Sequence, residues 1–208
     1  NEKSNSSKAH IKEVPDSKRA SLDYKIIKEL NNYFALEIIA FGTHLSKSHG
    51  FTLNYIEEEN YSKLHCISSL IANDDEQGIA TSYALTALKF ADFWHHNKFD
   101  LVFCLGDRFE MSAAVQAGIP FNMKFAHLHG GETTLGAIDN IYRHQITLAS
   151  NLHFTAGELF SDRVIELIGN NKNVYTVGSL SLNEIEKLKL WNLSILLIFI
   201  KFKNSLIK

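Results

Sequence analysis

Between residues 100 and 177 short apolar runs alternate with segments of helical spacing, and few folds accept that pattern. Strands are expected at 100–105, 124–128, 152–155 and 173–177, with helices at 108–117, 138–150 and 157–168 between them. Gly118-Ile119-Pro120 and Gly169-Asn170-Asn171 are helix stops. Upstream, Leu22, Ile26, Ile27 and Leu30 have helical spacing, and residues 35–41 read as a strand ended by Gly42-Thr43-His44. A short strand near 64–68 follows a polar stretch at 46–62, and Asn73-Asp74-Asp75-Glu76 caps a helix over 76–96. A further helix is expected from Ser181. Strand–helix alternation with short loops implies βαβ units: an α/β, doubly wound, mostly parallel sheet covered on both faces.

Both ends depart from this regularity. Residues 1–19 are polar, lack periodicity and contain no opening strand, so they read as a disordered or atypical segment. Residues 20–187 form the domain, and 188–208 are an apolar, Lys-rich tail of low diversity, as from truncation or a frameshift. A membrane-surface helix is the alternative for the tail. Its most apolar window, Trp191 to Ile200, is too short to span a bilayer, which takes about 20 apolar residues.

Composition excludes some functions. A formal net charge of −2 gives no electrostatic footprint for nucleic acid. Cys66 and Cys104 lie in separate apolar runs without metal spacing and read as buried free thiols, which suits a reducing cytoplasm. No signal peptide is visible, and no membrane association is expected. There is no GxGxxG after a strand and no GxxxxGK[ST], which argues against an NAD-dependent oxidoreductase and a P-loop enzyme.

Chemistry gathers where two apolar runs end. Leu101 to Leu105 runs into Gly106-Asp107-Arg108-Phe109-Glu110, and Phe125 to Leu128 into His129-Gly130-Gly131-Glu132. In open α/β sheets ligands bind in the crevice outside the carboxyl ends of the strands. Helix capping by Asp107, with Glu110 at the third helical position, is the structural alternative there. Arg108 suits a phosphate, through forked hydrogen bonds. At strand period His127 and His129 share one face, and the glycines after them let backbone approach closely. Asp139 and Arg143 are four apart on a helix, so a surface salt bridge competes with a role in the crevice for Arg143 and His144. Gly178-Ser179 offers backbone N–H groups as a weak anion site.

At these residues the chain resembles the hydrolysing UDP-N-acetylglucosamine 2-epimerases of sialic and legionaminic acid synthesis. GDRFE at 106–110, HLHGGETTLGAID at 127–139, YRHQIT at 142–147, LHFTA at 152–156 and VGSLSLNEI at 177–185 carry the resemblance, with GTHLS at 42–46 as a further strand-end motif. It implies a Rossmann-like domain, one half of a glycosyltransferase-B-type fold whose active site lies between two domains. The second domain would begin near residue 190. The reaction implied converts UDP-N-acetylglucosamine and water to N-acetylmannosamine and UDP, by removal of the C2 proton, elimination of UDP and hydration. No cofactor and no metal are implied. A relative acts on UDP-N,N'-diacetylbacillosamine, and these motifs do not separate the two substrates.

The resemblance further implies catalytic roles for Asp107 and Asp139. His129 stands where some relatives carry a catalytic Glu, and Glu132 can share that task. Arg108 resembles a UDP-contacting arginine, and Arg143, His144, His44 and Ser179 match site-lining positions. Arg19-Ala20 with Asp23-Tyr24 echoes the family's first-strand motif, Arg-Ala-acid-Tyr. Expected partners are the UDP-sugar, the second domain and, as in the full-length family, further copies in a homo-oligomer. The chain alone is expected to have little activity, and a non-catalytic remnant or binding module is the alternative.

Overall fold

A computed structural model describes residues 34–71, 73 and 75–180, and the backbone of residues 197–202. The expected helices at 20–33 and from Ser181, and Arg19, lie outside the described residues. The strands are β1 (Phe34–Phe41), β2 (Leu64–Ile67), β3 (Leu101–Leu105), β4 (Phe125–Leu128), β5 (Leu152–Thr155), β6 (Val174–Thr176) and β7 (Leu197–Phe202). The helices are α1 (Leu53–Glu58), α2 (Glu76–His96), α3 (Phe109–Gly118), α4 (Asp139–Ala149) and α5 (Glu158–Ile168). Helix α1 falls in the stretch read as polar loop; its Leu53 and Ile56 are buried against β1, an inward pair too short to register as periodicity.

The sheet order is β2-β1-β7-β3-β4-β5-β6. Four strands, β2, β4, β5 and β6, run on from β1 and β3 in parallel register, for example Cys104 opposite His127 and His127 opposite His153. Strand β7 is antiparallel to both its neighbours, β1 and β3. It comes from the stretch read as a tail, and it fills the centre of the sheet, where the order reverses. That reversal is the point at which doubly wound sheets open a crevice.

The main core lies on one face. Ile39 and Phe41 of β1 and Val102 and Cys104 of β3 meet Phe90 and Trp94 of α2, Met111 and Val115 of α3 and Ile146 of α4. Burying each such side chain contributes about 1.5–3 kcal/mol. Trp94 keeps its polar atom satisfied by donating from Nε1 to the Ala114 carbonyl at 2.9 Å. Asp75 caps α2 as expected, accepting from the Gly78 amide at 2.7 Å.

The other face is covered by α1 over β1, through Ile38, Ala40, Leu53 and Ile56. Over β3 to β6 no described helix covers it. Phe103 stacks with Phe154, and Phe154 with Tyr175, on a half-exposed apolar strip. Coverage of both faces therefore holds, among the described residues, only at β1. Cys66 also differs from expectation: Cys104 is buried, but Cys66 is exposed on β2, the edge strand. No helix among the described residues is long and apolar enough to cross a membrane.

Candidate functional site at the ends of β3 and β4

The turn out of β3 is made at Gly106, whose φ of 90° lies in the left-handed region that a side chain disfavours. Asp107 and Arg108 follow in the connection, and α3 starts at Phe109 with Arg108 as its N-cap residue and no side-chain cap. Capping by Asp107 is thus not what the structure contains. Glu110 is fully buried and is gripped by Arg108, with Nε donating at 3.1 Å and Nη2 at 2.9 Å. Asp107, freed from capping, pairs with Arg143 Nη2 from α4.

That pair also replaces the expected surface salt bridge between Asp139 and Arg143. Arg143 is only 5% exposed. Its Nη1 lies 3.9 Å from Glu132 Oε2, and Nε and Nη1 have no hydrogen-bond partner among the described residues. Asp139, on the first turn of α4, is half-buried. Burial and the charge of Asp107 hold its carboxyl above the usual range, against the opposing pull of Arg108 and Arg143.

The exit from β4 is equally specific. The His129 amide still donates to the Phe154 carbonyl at 2.9 Å, and then the backbone leaves the strand at φ 64°. His127 and His129 are separated by that turn. His129 swings into the crevice and its Nδ1 meets Glu132 Oε1 at 2.6 Å. The hydrogen bond from His129 keeps the Glu132 carboxyl below the usual range. Of the two glycines between them, Gly131 has no room for a side chain and Gly130 little. A Cβ on Gly130 would lie 3.1 Å from His127 Nδ1, and one on Gly131 would lie 2.2 Å from the Phe160 carbonyl oxygen.

Asp107, Arg108, His129, Glu132, Asp139 and Arg143 are thus brought together at one place. Three other expected positions are not in this cluster, and a fourth lies outside the described residues. His44, after β1, is buried with Nδ1 2.6 Å from Thr52 Oγ1, an interaction within its own loop. His144 is exposed on α4 and makes no hydrogen bond or ion pair to the cluster. Ser179 follows β6 at the far edge of the sheet, and Arg19 is outside the described residues. Sequence reasoning missed Thr147 and the aromatic wall beside Asp139. The i, i+4 spacing of Arg143 and Thr147 could have revealed the first. For the second, Tyr142 stacks on Tyr83 of α2 with centroids 5.9 Å apart and lies 6.4 Å from Phe109. Among the described residues no group of three or more His, Cys, Asp and Glu side chains could hold a metal ion.

Fold and site together define a Rossmann-like, doubly wound domain with an acid–imidazole–arginine crevice at its strand ends, one half of a glycosyltransferase-B-type arrangement. The family model for UDP-N-acetylglucosamine 2-epimerase matches residues 28–198, and the chain belongs to that family. It is 38% identical over 158 residues to GDP/UDP-N,N'-diacetylbacillosamine 2-epimerase (hydrolyzing) of Campylobacter jejuni, covering 76% of this chain and 41% of the relative. It is 32% identical over 173 residues to UDP-N,N'-diacetylbacillosamine 2-epimerase (hydrolyzing) of Legionella pneumophila, covering 80% and 46%. The fold matches the crystal structure of UDP-GlcNAc 2-epimerase from Methanocaldococcus jannaschii with a TM-score of 0.56 at 14% identity, over 68% of this chain and 37% of that one. The chain spans less than half the length of these relatives.

Proposed function

We propose that this chain carries the acid–base wall of a hydrolysing UDP-sugar 2-epimerase. The substrate class is a UDP-linked 2-acetamido sugar. With UDP-N-acetylglucosamine the reaction gives N-acetylmannosamine and UDP, which would feed nonulosonic acid synthesis in the cytoplasm. UDP-N,N'-diacetylbacillosamine is the alternative substrate, favoured by the names of the C. jejuni and L. pneumophila relatives.

The observation that carries this reading is the convergence of the His129–Glu132 contact and the Asp107–Arg143 pair on one crevice, with Arg143 Nη1 3.9 Å from Glu132 Oε2. The hydrogen bond from His129 lowers the titration of the Glu132 carboxyl, whereas burial and the charge of Asp107 raise that of Asp139. Elimination of UDP followed by hydration needs such a divided pair, one group to accept the C2 proton and one to return a proton. In this scheme the His129–Glu132 dyad takes the C2 proton as the C1–oxygen bond to UDP breaks and a C1=C2 double bond forms. Asp139 then returns a proton to C2 while water bonds through its oxygen to C1 and releases its surplus proton to solvent. Arg108, matched by resemblance to a UDP-contacting arginine, would offset charge developing on the pyrophosphate.

The test is a titration of the isotopically labelled chain with each UDP-sugar, together with a UDP-release assay. Chemical-shift changes confined to Gly106–Arg108, His129–Glu132 and Asp139 are expected. Turnover is expected well below the roughly 1–10³ s⁻¹ of ordinary enzymes, because the matched part covers less than half the length of those relatives. A chain that shows no shift with either sugar at millimolar concentration would be the non-catalytic remnant instead.

A further inference from the structure

Beyond the groups that would meet substrate, one buried side chain connects all three elements that build the crevice. His127 on β4 is fully buried. Its Nε2 lies 2.9 Å from the Gly106 carbonyl, at the turn that delivers Asp107, and its Nδ1 lies 3.0 Å from Thr147 Oγ1 on α4. Thr147 is one helical turn from Arg143 on the same helix. Its single hydroxyl proton goes either to Nδ1 or to the Arg143 carbonyl 3.0 Å away, so the link from the imidazole to Arg143 runs through the helix backbone. The partners of the Asp107–Arg143 pair are therefore tethered to the same imidazole from opposite sides.

We propose that His127 is a positioning residue, whose donor to the Gly106 carbonyl and acceptor for the Thr147 hydroxyl hold Asp107 and Arg143 in register for the acid–base chemistry. The hydrogen-bond partners dictate the tautomer. A carbonyl can only accept, so Nε2 carries the proton, and Nδ1 is left as the acceptor. A ring wired in this way does its work uncharged. Burial agrees, pushing the imidazole down to about 3. Gly130 completes the arrangement, because a Cβ there would press on Nδ1 and on Thr147 Oγ1, at 3.1 and 3.3 Å. The one N–H of His127 is thus committed to the Gly106 carbonyl, and its role differs from that of His129 two residues on.

The inference rests on the crevice being the reaction site, but its test does not require a substrate. In the full chain, the guanidinium N–H signals of Arg143 should be separate and slow to exchange, as expected for a buried pair with Asp107. His127→Phe, which fills the ring volume without a donor, should merge or lose those signals while leaving the backbone spectrum of α2 and α3 in place. His127→Gln can reach the Gly106 carbonyl from the Nε2 position and should keep them. His127→Asn, whose amide reaches only the Nδ1 position, should lose them. Retention of the Arg143 signals in a folded His127→Phe chain would overturn the proposal. Should His127→Phe fail to fold, the Gln and Asn variants decide, and any pattern other than retention in Gln and loss in Asn overturns it. A chain that gives these results yet binds no UDP-sugar would refute the function proposed above and leave His127 as the organiser of the ion pair.

Discussion

Arg143 places a guanidinium where water scarcely reaches, so its neutralisation by Asp107 is a condition of folding as well as of chemistry. Asp107→Asn is therefore expected to destabilise the chain by about 3 kcal/mol, because it leaves a buried cation with only the weaker influence of Glu132 and Asp139. Arg143→Met in the same background should recover much of that loss, and urea denaturation of the two single variants and the double variant would measure the coupling. Equal, additive losses would show that the pair does not exist in solution. At the same scale, His127 makes stability depend on pH. Its folded value of about 3 lies below the ordinary value of 6.5, so between those limits the unfolded chain binds the additional proton. Stability should be full above pH 6.5 and fall by about 1.4 kcal/mol for each unit below it, down to about pH 3. His153, also lowered by burial, adds a fall in the same direction. Denaturation at pH 7 and pH 5 should show a loss of about 2 kcal/mol or more that is reduced in His127→Gln. An unchanged difference in that variant would assign the dependence elsewhere.

At the scale of elements, the loop from His129 to Ile138 is held between α4 and α5 by contacts that admit no side chain at Gly131. Gly131→Ala faces a φ of 79° and a contact of 2.2 Å with backbone, which cannot yield as a side-chain tip would. The left-handed backbone alone costs about 1–2 kcal/mol, and the clash must move either the loop or α5. A clear fall in Tm is expected, together with loss of the His129–Glu132 contact as seen in the imidazole Nδ1 shift. Gly136→Ala is the control, since it also has positive φ but nothing within 4 Å of the added Cβ. The boundaries of β3, α3, β4 and α4 were legible from apolar runs and glycine stops to within a residue or two. What those elements do at their ends was not. Asp107 and Glu110 have the spacing of a capping box, but α3 begins at Phe109 and Arg108 claims Glu110, leaving Asp107 for α4. Nothing local encodes a partner thirty-six residues away.

For the whole molecule, β7 is the decisive element. It separates the two halves of the sheet, bonding to β1 on one side and β3 on the other. A chain stopped before Leu197 should lose cooperative unfolding, because two inner strand edges would then expose unpaired backbone groups. Near-UV circular dichroism and the sharpness of thermal melting would show it, and a native-like transition in the shortened chain would make β7 dispensable. The sequence by itself determined the α/β class, the order of elements from β1 to β6 apart from α1, and the two strand ends where ionisable groups collect. Those properties follow from periodicity, glycine stops and composition, all of which act over a few residues. Only the tertiary structure decided that the apolar stretch near the carboxyl end enters the sheet as an antiparallel centre strand. It alone decided, too, that His127 turns inward while His129 turns out, and that Arg143 is neutralised by Asp107 instead of its helical neighbour. Each of these depends on which distant groups share a buried space, and burial makes an unpaired charge or hydrogen-bonding group too costly to leave.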